Sequence, residues 1–230
     1  MDNLGFWNER YRRQPWIGSG PGSRGIAQHY KAELVRMALS KNDIRSVLDV
    51  GCGDMCWLRT ERLSVEDLRG VHFTGLDISD VIVQNNRKDF PAFRFEAFDL
   101  AGSPLPHRAD LVLCFDVLIH QTSQEGFDGC LSHLLEGISL HGLVSYKNPE
   151  RPRQPVAPRI ARFDPQVETG FRRSLAMLQQ KESYPKGQTA YFGELSVLAA
   201  KVSEQHTARR VGDYNFQSVY DVSRGSRLAL

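Results

Sequence analysis

Residues 46–54, Ser-Val-Leu-Asp-Val-Gly-Cys-Gly-Asp, restrict the possible folds of this chain more than any other stretch. An apolar β-run ends on an acid and breaks at once into Gly-x-Gly. A buried strand that stops this sharply, with no Cβ at two alternate positions, lets its backbone approach a ligand closely. A helix placed directly after the turn would offer unpaired N–H groups to the same ligand. A second apolar run, 71–76, ends on Asp77. That carboxylate follows the glycines by about two dozen residues, the spacing at which the next strand's acid reaches a pair of ribose hydroxyls. The pattern predicts a nucleoside-type cofactor.

The dinucleotide fingerprint places a third small residue where this chain has Cys56. Asp49-Val-Gly51-Cys-Gly53 resembles instead the Asp-x-Gly-x-Gly motif of class I S-adenosylmethionine-dependent methyltransferases. Gly75-Leu76-Asp77-Ile78-Ser79 resembles that family's second motif. Phe98-Asp99-Leu100 stands where the family flanks the adenine, and the run from Asp110 to Asp116 and His120 resembles its fourth motif. The segment from Trp16 through Ser23, Arg24 and Gly25, and the Asp-Val-x-x-His pattern, are similar to small bacterial members. Those members commonly carry an aromatic where this chain has Ile119.

The resemblance implies S-adenosyl-L-methionine as cofactor. It implies that Asp49 orients the glycine loop near the methionine end, that Gly51 and Gly53 approach the ligand, and that Asp77 accepts from the ribose diol. Ile78, Phe98 and Leu100 would wall the adenine, with Asp99 accepting from its amine. Trp16, Ser23, Arg24 and Lys31 would form a lid, with Arg24 pairing to the methionine carboxylate or to an acceptor phosphate. Asp116 and His120 are the catalytic candidates, at the carboxyl end of a strand where open α/β sheets bind ligands. An imidazole titrating near 6.5 suits proton removal at neutral pH.

The expected fold is α/β: a doubly wound, seven-stranded Rossmann-like sheet in one domain spanning 1–230, closed by a C-terminal antiparallel hairpin. Strands are predicted at 46–50, 71–76, 93–98, 111–115 and 143–146, and at 208–211 and 218–222 around a turn at 212–215. Helices are predicted near 26–40, 80–89, 127–140, 171–181 and 190–205. Gly142 is read as a helix cap. The glycine-dense leader 1–25 is read as an irregular lid segment. Residues 147–173 read as a Pro- and Arg-rich insertion, since prolines at 149, 152, 155, 158 and 165 exclude a helix or central strand.

Four cysteines at 52, 56, 114 and 130, without a second pair or His cluster, predict free thiols and no metal site. No apolar run reaches membrane-spanning length, and the N-terminus lacks a signal-like pattern, so a cytoplasmic protein is expected. A net charge of +2 gives no general attraction to nucleic acid. Methyl transfer to oxygen or nitrogen of a small-molecule acceptor is therefore the expected function, the acceptor being of sugar, phosphorylated or natural-product type. The basic insertion reads either as a solvated loop or as the site of an acidic or phosphorylated acceptor. An RNA methyltransferase, a non-catalytic cofactor-binding partner subunit and a nicotinamide oxidoreductase are the alternatives.

Overall fold

Val47 and Leu48 are adjacent in the chain and buried in different cores. This pairing explains why the central strands are apolar without alternation: both faces are covered by helices. The computed structural model describes residues 3–41, 43–148, 191–214 and 217–225. Its sheet has seven strands: β1 (Ser46–Val50), β2 (His72–Asp77), β3 (Arg94–Ala97), β4 (Ala109–Cys114), β5 (Ile138–Lys147), β6 (His206–Tyr214) and β7 (Gln217–Arg224). They lie in the order β3-β2-β1-β4-β5-β7-β6. The first five are parallel, and β7 runs antiparallel to both β5 and β6. Helices α2 (Ile26–Lys41) and α3 (Asp80–Asp89) pack on one face through Val35 and Val83, joined by Phe90 just after α3. Helices α4 (Gln124–Gly137) and α5 (Leu195–Val202) pack on the other through Leu131, Leu134 and Leu198. The expected doubly wound sheet and C-terminal hairpin are both present.

Several local expectations are corrected. The leader is not irregular throughout: Asn3–Arg13 forms helix α1. Trp7 stacks on Tyr11 four residues on, and Glu9 pairs with Arg13 at the same spacing, the side-chain geometry that supports an isolated turn of helix. Among the described residues, no α-helix follows the glycine loop. Two short 3-10 turns, Cys56–Leu58 and Val65–Leu68, take its place. Met55, Cys56, Trp57 and Leu58 are all buried; four consecutive buried side chains cannot share one face of an amphipathic helix, and Met55 itself is left-handed at φ 53°.

Helix α4 ends at Gly137, not at 140, and Gly142 lies inside β5. A Cβ on Gly142 would come within 2.6 Å of Ile138 Cδ1, so packing rather than capping requires the glycine. Gly212, Asp213 and Tyr214 belong to β6 instead of to a turn. Gly212 follows a register shift after Arg210 and leaves room for the Tyr30 ring beside it. The helix expected over 190–205 is shorter, at Leu195–Val202. The predicted helix 171–181 and all of the proposed insertion beyond Asn148 lie outside the described residues. All four cysteines are buried and free, and among the described residues no group of acids, cysteines and histidines has the arrangement of a metal site. No helix there is long and apolar enough to cross a membrane.

Candidate active site

Strands β1 and β4 are neighbours in the sheet, and their connections leave in opposite directions. This is the topological switch point, where an open α/β sheet holds a crevice at its carboxyl edge. A cavity enclosing roughly 910 Å³ of empty space, mouth included, occupies it. Gly51 and Gly53 form its rim with φ of +73° and +55°, which an L side chain tolerates poorly. The N–H groups of Gly51 and Cys52 donate to the Leu76 carbonyl, at 2.7 and 2.9 Å, so the loop folds over the end of β2.

Asp77 is buried beneath that loop. One carboxylate oxygen accepts from Gly53 N–H and the other from Ser79 N–H, each at 2.9 Å. A carboxylate has about four acceptor positions, so capacity remains on the cavity side, where Asp77 is part of the lining. Burial raises its pKa to about 6 against the opposing pull of these two N–H groups. Asp49, at the end of β1, is raised to about 7, again by burial, with the Trp57 indole donating to it at 3.1 Å. Ile78, Phe98, Asp99 and Leu100 line the same cavity past Asp77. Asp99 is exposed and accepts from Ala101 N–H at 3.0 Å.

Ser23 and Lys31 also line the cavity, but Trp16 and Arg24 do not. Trp16 is 73% exposed. Arg24 is held by Asp54, whose carboxylate burial would raise and this guanidinium holds low. The same pairing fastens the leader to the glycine loop, aided by reciprocal bonds between Ser19 and Asp54 at 3.2 and 2.9 Å. An Arg already engaged by a carboxylate is a poor candidate for the cofactor's own carboxylate.

Asp116, just past β4, is left-handed at φ 62°, an uncommon backbone state for a non-glycine residue that often marks functional loops. One carboxylate oxygen accepts from the Tyr214 hydroxyl at 2.9 Å and from Gln217 Nε2. The other accepts from Lys31 Nζ at 2.5 Å and from Ser23 Oγ at 3.5 Å. Its own N–H donates to Ser145 Oγ at 2.8 Å. Asp116 is expected to take part in catalysis; in the structure its two carboxylate oxygens are engaged by Tyr214, Gln217, Lys31 and Ser23.

His120 closes the 3-10 turn Leu118–His120 and lines the cavity. Its ring meets Trp7 edge-on, with centroids 5.4 Å apart. Burial lowers its pKa against the charge of Asp116, and Arg10 adds to the lowering, so the imidazole is neutral at pH 7. Ile119 is buried in the core rather than turned to a ligand. Asn3, Trp7 and Tyr11 of α1, together with Ser19, Trp57 and Phe115, line the cavity without having been anticipated. The Trp7–Tyr11 spacing was the available signal for the first of these.

No protein-family model matches the chain, and no curated protein sequence matches it. Solved structures do. The N-methyltransferase NodS from Bradyrhizobium japonicum WM9, in complex with S-adenosyl-L-homocysteine, superposes with a TM-score of 0.60 at 10% identity, covering 99% of this chain and 100% of that one. An amino pentose methyltransferase from Micromonospora echinaspora, bound to SAM, gives 0.59 at 16% identity, with 86% and 92% covered. Magnesium protoporphyrin IX methyltransferase from Synechocystis PCC 6803, with bound SAH, gives 0.56 at 19%, with 87% and 84% covered. The chain thus has the Rossmann-like fold of class I S-adenosylmethionine-dependent methyltransferases.

Proposed function

We propose that this chain is an S-adenosylmethionine-dependent methyltransferase acting on an oxygen or nitrogen of a small molecule. The observation that carries the reading is the buried Asp77 carboxylate beneath the Gly51–Gly53 rim, with acceptor capacity left toward the cavity. A ribose diol supplies two donors that match it. Phe98, Ile78 and Leu100 give an adenine an apolar wall, and the Asp49, Gly51 and Gly53 loop holds the methionine end. Asp49 orients that loop through Trp57, while Ser23 and Lys31, beside Asp116, complete the floor.

When bound, S-adenosylmethionine supplies a methyl group on a positively charged sulfur that leaves as a neutral thioether. The residues of the chain then have two tasks. The first is alignment of the acceptor, the largest contribution the protein makes to a reaction whose methyl is already activated. The Asp116 anchor serves it by fixing the loop that carries Val117 and His120. The second is removal of the acceptor's proton, which falls to His120, a neutral imidazole on the cavity wall. The α1 helix and the Gly18–Gly25 segment act as the lid, joined to the glycine loop through Arg24, Ser19 and Asp54.

The test is calorimetric titration with S-adenosylhomocysteine, followed by methyl-transfer assays with labelled S-adenosylmethionine over a panel of small hydroxyl and amino compounds. Absence of S-adenosylhomocysteine binding would overturn the reading. Binding without turnover on any acceptor would point to a non-catalytic partner subunit.

A further inference from the structure

A second concavity, with roughly 610 Å³ of open space, adjoins the first across Asn3, Trp7, His120 and Gln121. Phe6, Thr122 and Ser123 complete its walls. No Lys, Arg, Asp or Glu lines it. Among the described residues His120 is its one titratable wall, and it is one of the four residues that line both spaces. Its polar capacity comes from uncharged groups: the amides of Asn3 and Gln121 each offer donors and an acceptor, and the hydroxyls of Thr122 and Ser123 do both. Among the described residues, no side-chain hydrogen bond engages Asn3, Gln121 or Thr122. Phe6 and Trp7, edge to face at 5.2 Å, give the space an aromatic side.

The start of α4 lies at this concavity, and its own residues already answer part of its N-terminus. Ser123 Oγ accepts from Gly126 N–H at 3.1 Å, the Ser123 carbonyl accepts from Phe127 N–H at 3.0 Å, and Glu125 in the first turn answers the helix dipole. A phosphate or carboxylate seated here would meet no cation on the walls themselves, since the Arg10 guanidinium is buried against the Phe6 and Trp7 rings and donates to the Gly18 carbonyl, and it would meet an acid beside the helix start. Desolvating such a charge without a partner is strongly unfavourable. Neutral hydroxyls meet amides and hydroxyls that can replace their water, while their carbon skeleton lies against Phe6 and Trp7.

We propose that this concavity seats the methyl acceptor, and that the acceptor is an uncharged polyhydroxylated small molecule of sugar type. The proposal rests on the methyl-transfer reading, and it names the substrate class of that same site. It departs from the anionic acceptor that is one of the two readings of the basic segment 147–173, nearly all of which lies outside the described residues. A hydroxyl held between Gln121 and Thr122 lies next to His120 in the chain, and His120 is one of the walls common to both spaces.

The experiment is ligand-observed NMR on the full chain saturated with S-adenosylhomocysteine. The probes are a panel of neutral monosaccharides and methyl glycosides, each beside its phosphorylated or uronic acid counterpart. Neutral probes are expected to bind, and their charged counterparts to bind at least tenfold more weakly. Thr122→Arg should weaken the neutral probes by at least tenfold, while its S-adenosylhomocysteine titration matches wild type. Thr122 lies on an exposed surface, so this variant is expected to fold. The proposal is overturned if no neutral probe binds, if the anionic counterparts bind more tightly, or if Thr122→Arg leaves neutral binding unchanged. Failure of wild type to bind S-adenosylhomocysteine would strike the cofactor reading itself, and the sugar titration repeated without it would still decide the character of this concavity.

Discussion

Lys31 Nζ lies 2.5 Å from Asp116 Oδ2, and both groups are shielded from solvent at the base of the cavity. The lysine side chain is only 3% exposed, and its ammonium stands over the rings of Phe115 and Tyr214 at 5.6 and 5.2 Å. Through this pair and the Tyr214 and Gln217 bonds, helix α2, the loop after β4 and the C-terminal hairpin meet at one carboxylate. That convergence leads to the first prediction.

Removing one partner of a buried ion pair leaves the other charge uncompensated, typically at about 3–5 kcal/mol. Asp116→Ala should therefore destabilise the protein by about that amount in urea unfolding. The double variant Lys31→Met with Asp116→Ala should lose less than the sum of the two single changes, since no orphan ammonium remains. Additive losses would show that the pair is not coupled.

Asp77→Ala should weaken S-adenosylhomocysteine binding by at least tenfold, since hydrogen bonds to a charged group contribute about 1.5–3 kcal/mol each. Calorimetry that finds the two affinities within a factor of two would remove Asp77 from the ribose site.

The pH dependence follows from the same carboxylate. Burial raises Asp77 to about 6 and Asp49 to about 7, above the value near 3.9 of an unfolded Asp. The folded protein therefore holds these protons more tightly than the unfolded chain. Their contribution to stability is fully present below about pH 4 and is lost as pH rises through 6 to 7. Ribose hydroxyls donate to the ionised form, so S-adenosylhomocysteine affinity should rise as pH climbs from 5 to 7, with proton release on binding. Titration at pH 5.5 in buffers of different ionisation enthalpy measures that release. Asp77→Asn should abolish its share of both effects, and an unchanged profile in this variant would refute the assignment.

His120→Ala should lower turnover by about 10²–10⁴ once an acceptor is found, with cofactor affinity nearly intact. Because burial lowers the pKa of His120, the acid limb of the pH–rate profile should fall below the usual histidine value in wild type and vanish in the variant. Retention of more than half of wild-type turnover would make His120 a packing residue.

Asn8 of α1 accepts from the Ser79 hydroxyl at 2.7 Å, and Tyr11 shares a hydrogen bond with Ser19 at 3.0 Å. These links fasten the leader over the cavity. Amide hydrogen exchange of residues 3–23 should slow on adding S-adenosylhomocysteine. Unchanged exchange there, alongside protection of the Gly51 loop, would rule out a lid.

The sequence alone determined the central βα frame. Val47, Leu48, Leu111 and Val112 admit little besides a doubly covered strand, and Gly51, Gly53 and Asp77 follow from local chain geometry at fixed spacing. It also located His120 at the carboxyl edge, because strand ends are set by where apolar runs stop. Other features were decided only by the tertiary structure. Arg24 and Asp54 are thirty residues apart, and no local pattern shows that they neutralise each other instead of facing a ligand. Asp116 became an anchor because Lys31, Tyr214 and Gln217 converge on it from three distant elements. Within the buried run Met55–Leu58, residues Cys56–Leu58 folded as a 3-10 turn because core packing on every side outweighed helical periodicity. Short-range sterics and burial patterns are written along the chain, whereas the partner that claims a polar group is settled only when remote segments pack together.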